Sequence, residues 1–169
     1  MQLSIVWAPI VIVGVLIIEF YWKLTLQECG FEYPKELSAA SDLHNGKMKK
    51  KWGGLRFLPV CWDAFYEEIL WRLMPWLYVH SRFGKSWLMG FIIVILWQVA
   101  FGYWHGTARN ILFQGVAGIL YVFIFVTFGG LHNPVLGIFA STTAHILWNL
   151  NCDYEVYQKS IAYVFKPDF

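Results

Sequence analysis

Two adjacent acids, with an arginine one helical turn further on, stand in an otherwise apolar and aromatic stretch: Glu67-Glu68-Ile69-Leu70-Trp71-Arg72. At helical pitch Glu68 and Arg72 are i,i+4 neighbours with the acid first, the favourable order for an ion pair. Glu67 lies about 100° around the helix from Glu68, and this spacing gives it no such partner. An ionised side chain at mid-membrane costs about 2.5–3.5 kcal/mol, so Glu67, Glu68 and Arg72, if unpaired, oppose insertion by roughly 8–10 kcal/mol. The pair offsets part of that. Low dielectric makes a carboxyl group hold its proton more tightly, the property required of an acid or base working near neutral pH. The competing reading is a polar knot that only locks helices together.

Two further constellations follow. Phe101-Gly102-Tyr103-Trp104-His105 sets Phe101 and His105 on one helix face, and His145-Ile146-Leu147-Trp148-Asn149 does the same for His145 and Asn149. A lone histidine in an apolar segment is usually packed and hydrogen-bonded. Two of them, each on a different helix from the acids, point to a convergent polar pocket.

The elements that would carry these residues are membrane helices. Hydrophobic residues make up 58% of the 169, charged residues 14% and aromatics 20%, with ten Trp and nine Tyr. Ordinary globular chains are roughly 45–50% apolar and about 25% charged, and a soluble fold this small could not bury so much apolar surface. A net charge of +2 leaves no basic footprint for nucleic acid. Cys29, Cys61 and Cys152 are widely spaced and form no CxxC pair, so free thiols are expected. About twenty apolar residues span a bilayer. Leu3 to Trp22, a stretch near 57–80, and Ser86 to Trp104 are candidates, and 110–151 divides at Gly129-Gly130-Leu131-His132-Asn133-Pro134 into helices near 110–128 and 134–151. The expected fold is therefore all-α, a polytopic transmembrane bundle of about five helices. Gly115 and Gly118, and Gly137 with Ala140 and Ser141, permit close helix contacts within or between protomers.

The 23–56 segment carries Lys23, Lys35, Lys47, Lys49, Lys50, Lys51 and Arg56. By the positive-inside rule it is cytoplasmic, with the N-terminus outside and the C-terminus inside. The cluster Lys49-Lys50-Lys51-Trp52 reads as an anchor at anionic headgroups. Under this topology Glu67 lies roughly 15 Å, and His145 roughly 9 Å, along their helices from the cytoplasmic side. His105 ends its helix on that same side.

Taken together, EExxxR, FxxxH and HxxxN, in that order on separate membrane helices, resemble the CAAX-processing and bacteriocin-processing (CPBP or ABI) family of glutamic intramembrane proteases, which includes the type 2 CAAX prenyl endopeptidase. The resemblance covers about residues 57–151, the expected four-helix catalytic core. Residues 1–56 would then form a first membrane helix plus a basic interfacial loop, and 152–169 a C-terminal tail. The resemblance implies that Glu67 is the general base activating water and that His105 helps hold that water. It implies that His145 and Asn149 stabilise the oxyanion, and that Glu68 and Arg72 orient the site from behind. The chain is short for the family, close to the bare core. No serine-nucleophile GxSxG and no HExxH is present.

The function this implies is hydrolysis of a peptide bond in a membrane-associated substrate, lipidated or bearing a C-terminal sorting tail, by a multi-pass protein of a bacterial inner membrane. No cofactor is expected. Zinc on the two His and two Glu is chemically open but not favoured, and a bis-histidine haem would leave the adjacent acids unexplained. The alternative is a non-catalytic membrane protein, such as a bacteriocin self-immunity or partner-binding scaffold. The aromatics Trp62, Phe65, Tyr66, Trp71, Trp76 and Trp104 read mainly as lipid-facing or interfacial, with a groove for an apolar chain as the other option.

Overall fold

Buried stripes at three- and four-residue spacing decide which face of each helix turns inward. The computed structural model describes residues 4–31, 58–83, 87–130 and 132–151, and among these the chain forms five helical rods. A single 3-10 turn, Ile5–Trp7, leads into α1, Ala8–Glu28. The second rod is α2, Leu58–Glu68, a wide π-type turn at Ile69–Leu73, and α3, Met74–Phe83. Then come α4, Trp87–Trp104, and a fourth rod made of a second wide turn at Ile111–Gly115 and α5, Val116–Phe128. The fifth is α6, Pro134–Asn151. The all-α expectation holds, and four of the five segments read from the sequence agree to within a few residues.

The first segment runs longer than expected, through Glu28 rather than Trp22. Its buried residues are Ala8, Ile12, Val15, Glu19, Lys23 and Leu26, one continuous stripe into which an acid and a base fit without breaking the period. Lys23 is thus a correction. The sequence counts it among the loop cations, whereas it is fully buried and its ammonium lies 3.1 Å from the Glu19 carboxylate. Pairing removes the reason for the helix to end before it. The basic cluster at Lys49–Lys51, Cys152 and the C-terminal tail fall outside the described residues. Cys29 and Cys61 are free thiols.

The apolar core joins α1, α5 and α6 through Ala8, Ile12, Val15, Ala117, Tyr121, Ile124, Phe128, Ala140 and Ala144. The turn before α6 follows its chemistry. Gly130 takes φ +52°, a region that side chains disfavour. Asn133 then accepts a hydrogen bond from the Leu136 N–H at 3.1 Å, and Pro134 opens the helix. Gly137 lets α6 press on α5, since a Cβ there would stand 2.7 Å from the Phe125 carbonyl oxygen. Gly118 packs in the same way on the Gln98 side chain. These small-residue contacts lie within one chain.

The rods do not end their apolar character at the core. Ile10, Val13, Ile17 and Ile18 of α1 and Phe91, Leu96 and Val99 of α4 are exposed. Among the described residues two stretches, Ile5–Glu28 and Ile111–Phe128, are long and apolar enough to cross a membrane, and Leu88–Trp104 is a shorter apolar helix.

Candidate active site

The buried face of α2 is Val60, Ala64 and Glu68, and Arg72 continues it one turn on. That register sends Glu68 and Arg72 into the protein and leaves Glu67 at the edge of the stripe. Both members of the inner pair are sealed from solvent, 3.3 Å apart, whereas the Glu67 side chain is 25% exposed. Glu67 is therefore not fully immersed, as the sequence suggested. Nor is it without a partner.

Three helices converge on it. The Nε2 of His145, on α6, lies 3.7 Å from Glu67 Oε2, and the Nε2 of His105, just beyond the end of α4, lies 4.0 Å from the same oxygen. Each imidazole is held at its other nitrogen. His145 Nδ1 is 2.9 Å from Glu68 Oε1, and an ionised carboxylate only accepts, so this nitrogen carries the proton. His105 Nδ1 donates to the Phe101 carbonyl at 2.9 Å. Both Nε2 atoms thus face the Glu67 carboxylate. A gap of 3.7–4.0 Å is too long for a direct hydrogen bond.

Helix termination explains how His105 acquires this pose. The chain leaves α4 through tightened turns, in which the His105 N–H bonds Gly102 and the Gly106 N–H bonds Tyr103. The Phe101 carbonyl then lacks its usual partner, and the His105 ring supplies one. Gly106, at φ +107°, makes the exit that a side chain would strain. Asn110 donates to the His105 carbonyl, tying down the loop. The Phe101 ring meets the His105 ring edge-on at 4.7 Å and carries the Arg72 guanidinium over its face at 4.4 Å.

A proline shapes the opposite wall. Pro75 has no N–H, so the Trp71 carbonyl loses its helical donor four residues on. The Gln98 amide of α4 donates to that carbonyl at 2.9 Å and accepts from Arg72 Nη1 at 3.1 Å. Arg72 is thereby fixed by Glu68, Gln98 and the Phe101 ring together. Wide turns of this kind cluster at functional sites, and the second one behaves alike, its Leu112 carbonyl accepting from the Trp22 indole at 2.7 Å. Replacing Gln98 by Leu is expected to strand two buried polar groups and to cost about 2–5 kcal/mol. A lowered thermal midpoint in detergent would register that loss.

Of the residues proposed from the sequence, Glu67, Glu68, Arg72, His105 and His145 come together here. Asn149 lies one turn beyond His145 on the same face of α6, half-buried.

The comparison with known families speaks to this same stretch. A family model described as Rce1-like, type II CAAX prenyl endopeptidase, matches residues 52–151. The chain belongs to this family. No curated protein and no solved structure matches it. Rce1-like proteins are membrane-embedded proteases, and every residue of the polar cluster just described falls inside the matched segment.

The Rce1-like core also has features that sequence reasoning missed. Gln98 is an amide inside an apolar helix, a visible signal, but its role depends on the proline of another helix. Tyr121 stacks on His145 with ring centres 4.9 Å apart, and its hydroxyl donates to Glu19 at 2.9 Å. The i,i+4 spacing of Glu19 and Lys23, acid first, was the available sign of that second ion pair. Among the aromatics, the exposed ones agree with a lipid-facing or interfacial role and Trp71 departs from it. Trp62, Tyr66 and Trp104 are exposed and Trp71 is buried. Of the six aromatics named, only Phe65 lines the groove found between α2 and α6, about 400 Å³ in volume and otherwise walled by residues such as Ile69, Leu73, Ile138, Phe139 and Ile146.

Proposed function

We propose that this protein is an intramembrane endopeptidase in which Glu67 activates water against a peptide bond of a membrane-associated substrate. The carrying observation is the pair of imidazole nitrogens set 3.7 and 4.0 Å from one carboxylate oxygen of Glu67, the acid on the open side of the cluster. A water between Glu67 Oε2 and either imidazole nitrogen would be within hydrogen-bond reach of both. Glu67 would take its proton as the oxygen attacks the scissile carbonyl, and His105 would hold the water in line. His145 and Asn149 would face the developing oxyanion. With Nδ1 given to Glu68, His145 donates from Nε2 as an imidazolium, and the Glu68 carboxylate would stabilise that charge. Proton transfer from Glu67 to the leaving amine would complete the cleavage.

The apolar groove beside α2 and α6 favours a substrate with a hydrocarbon or apolar peptide tail, in keeping with the prenyl group in the family's name. We place the N-terminus outside and the C-terminus in the cytoplasm of a bacterial inner membrane. Moving Lys23 from the loop into α1 leaves that charge bias in the same direction.

The test is single-turnover hydrolysis, enzyme in excess, of a peptide with a prenylated cysteine and a short C-terminal extension, run in water enriched in heavy oxygen. The label is expected in the new carboxyl group of the product, with none on Glu67. Label on the Glu67 side chain would mean attack by the carboxylate itself and would overturn the activated-water step. If no membrane peptide is cleaved, and an organism producing the protein resists a bacteriocin whether or not Glu67 is replaced by Gln, the scaffold reading takes its place.

A further inference from the structure

One buried ionic group plays no part in the chemistry described above. Glu19 is 1% exposed and Lys23 fully buried, both on α1, outside the segment that matches the family. Replacing such a pair by well-packed apolar residues is often neutral or stabilising, so stability alone does not call for charges here. Their contacts point elsewhere. Lys23 binds Glu19 Oε1 at 3.1 Å, and its ammonium stands 3.9 Å from the centre of the Trp148 ring. The other oxygen, Glu19 Oε2, accepts from the Tyr121 hydroxyl at 2.9 Å. The Tyr121 ring lies against His145 at 4.9 Å and only 25° from parallel.

We propose that Glu19 and Lys23 are positioning residues for His145, acting through Tyr121 and Trp148. The hydrogen bond from His145 Nδ1 to Glu68 fixes one atom of the imidazole and the covalent bond to Cβ fixes another, which leaves the ring a tilt about the line joining Cβ and Nδ1. A flat aromatic surface on its face removes that freedom, provided the surface is itself immobile. Tyr121 is made so by anchoring its far end to Glu19, whose second oxygen is anchored in turn by Lys23. Lys23 also bears on Trp148, three residues after His145 on the same helix, so α1 holds α5 through Tyr121 and α6 through Trp148. The first helix would thereby set where His145 Nε2 points, although it contributes no group to the reaction.

The inference rests on the protease reading only for its kinetic arm. The experiment compares the unaltered protein with a Glu19→Leu/Lys23→Met double variant and with Tyr121→Phe, all in lipid nanodiscs. Two quantities are read: turnover of a cleaved membrane peptide, and the imidazole nitrogen resonances of His145 in protein carrying nitrogen-labelled histidine. Misplacing a reacting group by about 1 Å costs up to a hundredfold. The double variant is expected to lower its thermal midpoint only modestly, since the Tyr121 hydroxyl is left without its acceptor, to keep its KM, to lose about tenfold or more in kcat, and to show His145 resonances averaged over several environments. Tyr121→Phe, which keeps the ring and removes the anchor, is expected to move both readouts in the same direction and decides the matter should the double variant not fold. Unchanged resonances, or unchanged kcat with altered resonances, would overturn the proposal. If the unaltered protein cleaves nothing, the protease reading fails while the resonances still decide whether α1 holds His145.

Discussion

Replacing Glu67 by Gln is expected to lower the rate of substrate cleavage by about a thousandfold, the middle of the range for loss of a general base, while leaving the fold untouched. The two halves of that expectation have separate origins. Gln has nearly the same volume but no longer takes a proton from water, so under the proposed mechanism the chemical step loses its base. The Glu67 side chain is 25% exposed and makes no short hydrogen bond to either imidazole, so the protein does not depend on its charge for stability. Purified variant and unaltered protein, reconstituted in the same vesicles, should share a thermal midpoint and differ in product formed over time. A Glu67→Gln protein that still cleaves at a comparable rate would remove the acid from the mechanism.

Arg72 should behave in the opposite manner. Truncating one member of a buried ion pair typically costs 3–5 kcal/mol, because the other charge is left unpaired, and domains are commonly stable by only about 5–15 kcal/mol. Arg72→Leu takes the guanidinium from the Glu68 carboxylate, which is sealed from solvent and keeps only its contact with His145, and strands the Gln98 amide oxygen that accepts from Arg72. The expected result is a large fall in thermal midpoint, or protein that does not accumulate in the membrane. Arg72→Lys should rescue only in part, since a point charge does not reproduce the planar contacts to Glu68, Gln98 and the Phe101 ring. A Glu68→Leu/Arg72→Met double variant, with no charge left to bury, is expected to recover much of the stability and none of the cleavage, because His145 has then lost the acceptor at Nδ1. An unchanged midpoint in Arg72→Leu would show that the pair carries no structural weight.

These contrasts bear on what could be read from the amino acids alone. Glu68 and Arg72 were legible as a pair because their spacing matches the helical repeat and their surroundings are apolar. The helix borders were legible where turn chemistry is local, as at Asn133 and Pro134. That Glu67 and Glu68 have different surroundings follows from the Val60, Ala64, Glu68 stripe, which puts one acid inside and its neighbour at the margin. What stayed hidden depends on more than one helix. A single lysine closing an apolar run looks like an interfacial anchor, and only α5, bearing Tyr121, and α6, bearing Trp148, give Lys23 and Glu19 a place inside. Gln98 acquires its purpose from a carbonyl freed by Pro75 on another element. Neither wide turn has a residue pattern of its own.

The wide turn at Ile69–Leu73 has a consequence for the geometry of insertions and deletions. A π-type turn holds one residue more than the regular turn it replaces, and each residue rotates a helix by about 100°. Removing one residue from those five would let the rod close into ordinary pitch, and the tighter winding of the remaining residues would offset the missing rotation, so the segments on either side would keep nearly the same faces. Pro75 and the buried Val79 would then still face inward, and the change would be confined to the turn that carries Trp71 and Arg72. The bulge thus takes up one residue between the half of the rod that carries the acids and the half that packs on α4. A one-residue deletion there should disturb the packing of α3 far less than the same deletion in the regular helix of α2.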